Sequence, residues 1–251
     1  MQRCLQLARA GAGYVAPNPM VGAVLVHHNR VIGEGWHRAY GMSHAEVNCI
    51  ASVSNEDRHL IGESVLYVSL EPCAHYGKTP PCANLIIQHR IPEVVVGCRD
   101  PFPEVNGKGI EKLQAAGIRV TTGVLEKECR ELNKRFFIFY TQRRPFVVLK
   151  WAQSSDGAIA APGGLAVQIS NPYTSRLVHR WRSEEPAIVV GTRTAMLDDP
   201  FLTTRLWPGK HPLRVVIDRA LKLPGTLRLF DAAATTLIFN EQRHTVPNGD
   251  R

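Results

Sequence analysis

The chain has 251 residues, of which 44% are hydrophobic and 21% are charged, and its formal net charge is +8. This composition excludes a disordered chain or a fibrous repeat, and the length allows one large domain or two modest ones. Because no stretch approaches the roughly 20 apolar residues of a membrane-spanning helix and residues 1–10 lack a signal-peptide core, we expect a cytoplasmic protein without a membrane partner.

The positive charge does not by itself indicate nucleic acid. The basic residues are scattered along the chain and are concentrated only at residues 143–144 and 180–182. A nucleic-acid enzyme is expected to show a concentrated basic groove, whereas phosphorylated small molecules explain a dispersed excess equally well. Six cysteines are also too few for a disulfide scaffold. We therefore expect a phosphorylated small molecule as the ligand and no nucleic-acid partner.

Hydrophobic periodicity and turn residues predict the elements of the first half. In chain order they are a helix to about residue 10, a hairpin of strands at 21–26 and 31–36, a helix at 44–51, a strand at 65–70, a helix from 82, a strand at 93–98, a helix at 109–117, a strand at 118–124 and one long helix from 125 to about 140. Strands that alternate with helices predict an α/β fold with a largely parallel sheet covered on both faces.

The basic, proline-ended segment at residues 141–145 is typical of a domain boundary. We place the boundary between residues 143 and 144, which gives domains of residues 1–143 and 144–251. A second α/β unit is predicted to follow, with a β-rich stretch at 146–151, a helix around 175–183 and strands at 187–190 and 213–218.

Three residues of the first half form a candidate zinc site. His44, Cys73 and Cys82 supply one imidazole and two thiolates, which leaves the fourth position of a tetrahedral Zn²⁺ free for water. Glu46 stands two residues after the histidine, where a carboxylate can take a proton from that water and later deliver it to a leaving amine. H-x-E followed by P-C-x-x-C is the general signature of zinc-dependent nucleobase deaminases. Here, however, eight residues separate the two cysteines.

The predicted elements bring these ligands together. Ser43 can cap the helix at 44–51, which puts His44 and Glu46 on its first turn, where the helix dipole favours a carboxylate. Cys73 follows the end of a buried strand, and Cys82 opens the next helix. Two helix starts and one strand end are therefore expected to meet at the metal.

Two other functions remain open at this point. A purely structural zinc site normally has a fourth protein ligand, and His75 is the obvious candidate for it. The other alternative is a zinc deaminase that acts on another base, nucleoside or tRNA. Such an enzyme would share the zinc and Glu46, but one that acts on nucleic acid is expected to have a two-residue gap between its cysteines.

Asn18 is a candidate ligand-binding residue because two prolines fix the backbone around it. Its amide can donate and accept hydrogen bonds in one plane, as recognition of a ring carbonyl or ring nitrogen requires. The alternative is that Asn18 only forms a turn.

Several motifs resemble the deaminase half of the bifunctional deaminase/reductase family of riboflavin biosynthesis. They are residues 17–22, 44–47 and 71–82, and the long loop between the cysteines is the most specific of them. The resemblance continues through residues 97–101, 107–109 and 132–134, and it covers essentially all of residues 1–143. It implies a cytidine-deaminase-like three-layer α/β/α domain followed by a partial dihydrofolate-reductase-like α/β domain.

The resemblance also implies a substrate and roles for individual residues. The family deaminates a diaminopyrimidinone that carries a ribosylamino 5′-phosphate and releases ammonia. Glu46 would move the proton, Asn18 would hold the ring, and His75 and Lys78 would contact the ribose and phosphate; as a cation, Lys78 suits the phosphate better. We also expect a homo-oligomer.

The second half is similar to the family's NADPH-dependent reductase, on the residues 150–157 and 194–205. The match implies that Ala152, Thr194 and Asp198 lie on NADPH and that Leu202 and Arg205 lie on the substrate. The alternative is that the Asp-Asp-Pro sequence of this stretch is a turn that merely ends a helix.

This half departs from the family pattern. Residues 166–170 read Ala-Val-Gln-Ile-Ser where Ser-x-Trp-Ile-Thr is usual, and Ser175 stands where arginine is common. No G-x-G-x-x-G motif occurs in the chain, and the family's later Gly-rich phosphate loop is not found before Arg251. The sequence is then either a fragment or one with a defunct reductase, and we expect little or no NADPH-dependent reduction.

Overall fold

A computed structural model of the chain describes residues 1–76, 80–161 and 167–244. The chain divides into two compact units, Met1–Val147 and Val148–Arg251. The division lies slightly after the position that the sequence predicts. Within the described residues, no helix has the length and apolar character needed to cross a membrane.

Unit 1 contains five strands and six α-helices among its described residues. In chain order they are α1 (Gln2–Arg9), β1 (Gly22–His27), β2 (Arg30–Trp36), α2 (Ala45–Ala51), a 3-10 helix (Arg58–Glu63), β3 (Val65–Leu70), α3 (Cys82–Gln88), β4 (Glu93–Cys98), α4 (Lys108–Ala115), β5 (Arg119–Thr122), α5 (Glu126–Leu132) and α6 (Lys134–Gln142).

The five strands form one mixed sheet in the order β2-β1-β3-β4-β5. β1 pairs antiparallel with both β2 and β3, whereas β3, β4 and β5 are mutually parallel. The expected parallel arrangement therefore holds for three strands only, because the predicted hairpin adds two antiparallel pairings. The carboxyl ends of β3 and β4 lie at one edge of the sheet, where open α/β sheets build their sites.

Alternate residues of the strands bury two opposite faces of the sheet. Ala23 and Leu25 of β1 join the large core that also contains residues of α2, α3 and α4. Val24 and the half-buried Val26 pack instead with residues of α1. Because successive side chains of a strand point to opposite sides, the sheet is covered on both faces and unit 1 has three α/β/α layers, as expected.

The predicted long helix at 125–140 is two helices, α5 and α6, which are separated at Asn133. The buried Asn133 side chain accepts from the Met20 backbone N at 2.8 Å and donates to the Met20 carbonyl at 2.9 Å. This pair of bonds ties the junction between α5 and α6 to the loop before β1. The β-rich stretch predicted at residues 146–151 is also wrong, since these described residues belong to no strand.

Unit 2 contains a three-stranded parallel sheet, in the order β6-β7-β8. Its described elements are α7 (Pro172–Glu184), β6 (Ala187–Gly191), α8 (Thr192–Asp198), β7 (Leu213–Ile217), a 3-10 helix (Arg228–Phe230) and β8 (Thr236–Phe239). The α7 helix begins earlier than predicted because Asn171 caps it, accepting from the Thr174 backbone N at 2.8 Å. Arg214 of β7 is fully buried and bonds the Asp231 carboxylate at 2.8 Å together with several backbone carbonyls.

Candidate metal centre and active-site pocket

His44 lies at the start of α2, in the cap position itself. Its backbone is extended, with φ −70° and ψ 168°, and no side chain caps the helix. The predicted capping role of Ser43 is therefore wrong. The carbonyl of Ser43 instead accepts hydrogen bonds from His37 Nδ1 at 3.1 Å and from Asn48 Nδ2 at 3.2 Å. These bonds hold the residue before His44 in place.

The structure brings the three predicted metal ligands together. Nδ1 of His44 lies 3.5 Å from Sγ of Cys73 and 3.3 Å from Sγ of Cys82. A tetrahedral zinc with bonds of about 2.3 Å to sulfur and 2.0 Å to nitrogen spaces those two ligand atoms about 3.5 Å apart. The chemistry and spacing of the donors therefore fit Zn²⁺.

The two cysteines are held by bonds between their own loops. The Ala83 backbone N donates to the Cys73 carbonyl at 3.1 Å, and the Cys82 backbone N donates to Sγ of Cys73 at 3.3 Å. Hydrogen bonds from Cys82 and His44 lower the pKa of the Cys73 thiol to about 4, and the same pairing raises that of Cys82. A zinc ion held here would bind both residues as thiolates and would remove this asymmetry.

Glu46 lies in the first turn of α2 and is only 3% exposed. Burial raises the pKa of its carboxyl to about 7, against a lowering by His44. The sequence-based expectation that the helix start favours the carboxylate is outweighed here by loss of solvation. A pKa near neutrality suits a group that both accepts and delivers a proton.

His75 is not a fourth ligand in this arrangement. Among the described residues, the group of side chains whose ligand atoms converge within 4.8 Å contains His44, Cys73 and Cys82 alone. The His75 ring instead packs edge-on against Phe102, with ring centroids 5.7 Å apart. The structural-zinc alternative loses its candidate ligand. Lys78, the other residue predicted on this loop, lies outside the described residues.

A cavity of about 370 Å³ opens beside the three ligands, within the size range of small-molecule sites. Asn18, His44, Glu46 and His75 all line it. Its remaining lining includes residues that the sequence did not single out, namely His37, Asp100, Phe102, Phe136 and Tyr140.

An aromatic wall forms one side of the cavity. The Tyr140 ring packs against Phe102 with centroids 5.0 Å apart and against Phe136 at 4.8 Å. Phe136 and Tyr140 are four residues apart on α6 and so share one helix face. The i, i+4 spacing of these aromatic residues was the signal available in the sequence.

Two carboxylates that line the cavity, Glu71 and Asp100, organise the loop from β4 to α4. Both oxygens of the buried Glu71 accept backbone hydrogen bonds, from residues Asp100, Gly107, Gly109 and Ile110. Because Glu71 lies just before Pro72 and Cys73, these bonds fix the metal-binding loop against α4. Burial, together with the nearby charges of Glu71 and Cys73, raises the pKa of Asp100 to about 7.

Asn18 reaches the cavity from the loop before β1. Its Nδ2 lies 3.1 Å from Nε2 of His37, which is 3% exposed. Burial lowers the pKa of His37, with His44 as a smaller contribution in the same direction. The amide is thus part of a hydrogen-bonded arrangement and not merely a turn residue.

In unit 2, the predicted substrate residues lie on the chain after α8. Leu202 is buried with φ 55°, and Arg205 donates through its backbone N to Nδ1 of His179 at 2.8 Å. Burial and two nearby arginines lower the pKa of His179 to about 4, so the neutral ring accepts this bond. Thr194 and Asp198 are exposed on α8, one turn apart, while Ala152 lies in an irregular segment.

Comparison with known proteins bears on both units. Residues 1–98 match the model of the cytidine and deoxycytidylate deaminase zinc-binding region, and residues 145–247 match that of the RibD C-terminal domain. The riboflavin biosynthesis protein RibD of Aquifex aeolicus is 41% identical over 246 residues, covering 97% of this chain and 68% of that protein. RibD of Bacillus amyloliquefaciens is 43% identical and covers 100% and 67%, respectively.

A solved structure agrees with the whole described fold. The diaminohydroxyphosphoribosylaminopyrimidine deaminase/5-amino-6-(5-phosphoribosylamino)uracil reductase of Thermotoga maritima has a TM-score of 0.91 at 43% identity, and the match covers 98% of this chain and 71% of that one. The chain spans about two thirds of the length of the curated relatives above.

Together, the mixed sheet, the site at its edge and the matched zinc-binding region define a zinc-dependent deaminase. The second matched region adds a reductase-type unit. The chain belongs to the RibD family of riboflavin biosynthesis proteins.

Proposed function

We propose that unit 1 deaminates 2,5-diamino-6-ribosylamino-4(3H)-pyrimidinone 5′-phosphate, the reaction named for the Thermotoga relative. The observation that carries the proposal is the convergence of three soft donors, at 3.3 and 3.5 Å, next to a buried glutamate in a cavity of small-molecule size. The reaction consumes water, replaces a ring amino group by oxygen and releases ammonia.

Metal binding and proton transfer are assigned to different residues. His44, Cys73 and Cys82 would hold the zinc, which when bound supplies Lewis-acid activation of water. Glu46 takes one proton from the attacking water and passes it to the ring nitrogen. It then takes the second proton from the new hydroxyl group and delivers it to the departing amino group, which leaves as ammonia, so both protons of the water are accounted for. Its burial restricts the carboxyl to the cavity and keeps bulk water from competing for the proton.

The rest of the cavity positions the substrate. Asn18 would hold the pyrimidine edge, and the flat faces of the aromatic wall suit a planar ring. His75 has a buried Nδ1 without a hydrogen-bond partner among the described residues, so it is available to the ribose or phosphate. We propose Lys78, on the same loop, as the cation that pairs with the phosphate.

Ammonia release tests the reaction and the substrate together. Zinc-loaded protein is supplied with the phosphoribosylamino pyrimidinone, its dephosphorylated form, cytidine, guanine or tRNA. We expect release from the first and a kcat/KM about 10- to 100-fold lower without the phosphate, since a charge-assisted hydrogen bond contributes about 1.5–3 kcal/mol. Release from tRNA or cytidine but not from the pyrimidinone would overturn the assignment.

For unit 2 we propose binding of the deaminated product through Arg205. Its backbone is fixed by His179, and its Nη1 donates to Oγ1 of Thr203 at 3.0 Å. Calorimetric titration with the phosphorylated product, for the chain and for Arg205→Gln, tests binding separately from reduction. Equal affinity of the two proteins would refute the role of Arg205.

A further inference from the structure

We propose that His37 is a positioning residue that sets the orientation of the Asn18 amide for the pyrimidine. The inference rests on the proposed deaminase function and adds a residue to it. His37 follows β2 directly, is almost fully buried and lines the cavity next to His44.

The hydrogen-bond partners of His37 determine which ring nitrogen carries the proton. Nδ1 lies 3.1 Å from the carbonyl oxygen of Ser43, and a carbonyl oxygen only accepts. Nδ1 therefore carries the hydrogen, and in the neutral ring Nε2 is left as an acceptor.

This tautomer in turn fixes the amide of Asn18. The atom that faces Nε2 at 3.1 Å must be a donor, so it is Nδ2 and not Oδ1. One of the two amide hydrogens is then used by His37. Oδ1 and the second hydrogen are left for a ligand, which gives the cavity an acceptor and a donor side by side.

That pattern is complementary to a lactam edge, in which a ring N–H stands next to a carbonyl. The proposed pyrimidinone has such an edge. Without His37 the Asn18 amide is free to rotate by 180°, which exchanges its acceptor and its donor. The amide oxygen would then face the carbonyl of the pyrimidinone, and the amide N–H would face its ring N–H. The His37 side chain also links Asn18 to Ser43, the residue before the metal ligand His44. The residues that hold the pyrimidine and the metal are therefore joined by hydrogen bonds.

Two substitutions of His37 separate the effects of its hydrogen bonds to Ser43 and to Asn18. In His37→Asn, the amide nitrogen stands as many bonds from Cβ as Nδ1 does, so it can keep the bond to Ser43 but leaves nothing for Asn18. In His37→Gln, the amide oxygen stands as far along as Nε2, so it can still accept from Asn18. The exposed His59, changed to asparagine, is the matched control.

We expect His37→Asn to lower kcat/KM for ammonia release about tenfold, the equivalent of one hydrogen bond. His37→Gln should stay within about threefold of the unchanged chain, and His59→Asn should match it. In an Asn18→Ala background, His37→Asn should cost less than about twofold, because contacting residues that act through each other are not additive.

Three results would overturn the proposal: an equal cost of His37→Asn in both backgrounds, a better activity of the asparagine than of the glutamine variant, or loss of zinc or of the fold in His37→Asn. Loss of zinc or of the fold would show that the His37 side chain supports the metal-binding loop instead. Absence of activity in the unchanged, zinc-loaded chain would refute the deaminase function itself, which is a separate outcome.

Discussion

Replacing Glu46 with glutamine removes the proposed proton carrier while keeping the size of the side chain. General acid–base catalysis contributes about 10²- to 10⁴-fold to a rate. The structure favours the upper part of this range, because the other carboxylates lining the cavity among the described residues, Glu71 and Asp100, already accept backbone hydrogen bonds. We therefore expect kcat to fall at least about 10³-fold, or about 4 kcal/mol in activation free energy.

The assay is ammonia release by the zinc-loaded protein, with zinc content measured on the same samples. Because Glu46 is outside the ligand group, Glu46→Gln should retain one zinc per chain. Glu56→Gln, at an exposed position, is the matched control and should be fully active. A Glu46→Gln protein with its zinc and with activity within about tenfold of the unchanged chain would refute the reasoning.

Four further changes test the structure around the site and in unit 2. Asp100→Asn should stabilise the protein at pH 8 but not at pH 3.5. Burial raises the pKa of Asp100 from 3.8 to about 7 in the folded protein. The unchanged protein therefore loses stability as the pH rises between those values and the buried carboxyl ionises, whereas the asparagine variant does not. The difference, on the order of 4 kcal/mol, is measured by urea unfolding at both pH values. Gly109→Ala places a Cβ 1.9 Å from the Pro72 carbonyl oxygen and should cost about 3 kcal/mol and reduce zinc occupancy, whereas Gly225→Ala, with open space, should do neither. Glu71→Gln faces backbone donors with an amide group and should cost about 2–3 kcal/mol in the same assay, with weaker zinc binding; unchanged zinc affinity would contradict its role. Arg214→Met leaves buried carbonyls without a donor and should cost about 3 kcal/mol in thermal unfolding; an unchanged Tm would contradict it.

The sequence predicted those parts of the site that sit at the ends of regular elements. His44 and Cys82 lie at helix starts, and Cys73 follows the end of β3, so periodicity and turn residues placed them correctly. Their residue types then determined the chemistry. The hairpin, the alternation of strands and helices and the three layers were predicted for the same reason, since local patterns encode them.

The parts that the sequence did not predict depend on contacts between distant segments. Residues 125–140 have the periodicity of one helix, and the break arises because Asn133 bonds Met20, which is 113 positions away. His37 likewise has no local signal, because its partners are the backbone of Ser43 and the side chain of Asn18. The stretch at 146–151 was predicted to be β-rich from its run of apolar residues, and β-propensity is weak without a pairing strand.

Burial explains why this pocket favours a cation. Loss of solvation raises the pKa of both Glu46 and Asp100 to about 7, and Cys82 keeps its proton beside the Cys73 thiolate. The negative charge of Cys73 disfavours ionisation of Glu46, Asp100 and Cys82 further. A divalent cation among them reverses that balance, because it stabilises the charged form of every neighbouring acid. A zinc ion held by His44, Cys73 and Cys82 would therefore favour the ionised forms of both thiols and of the Glu46 carboxyl.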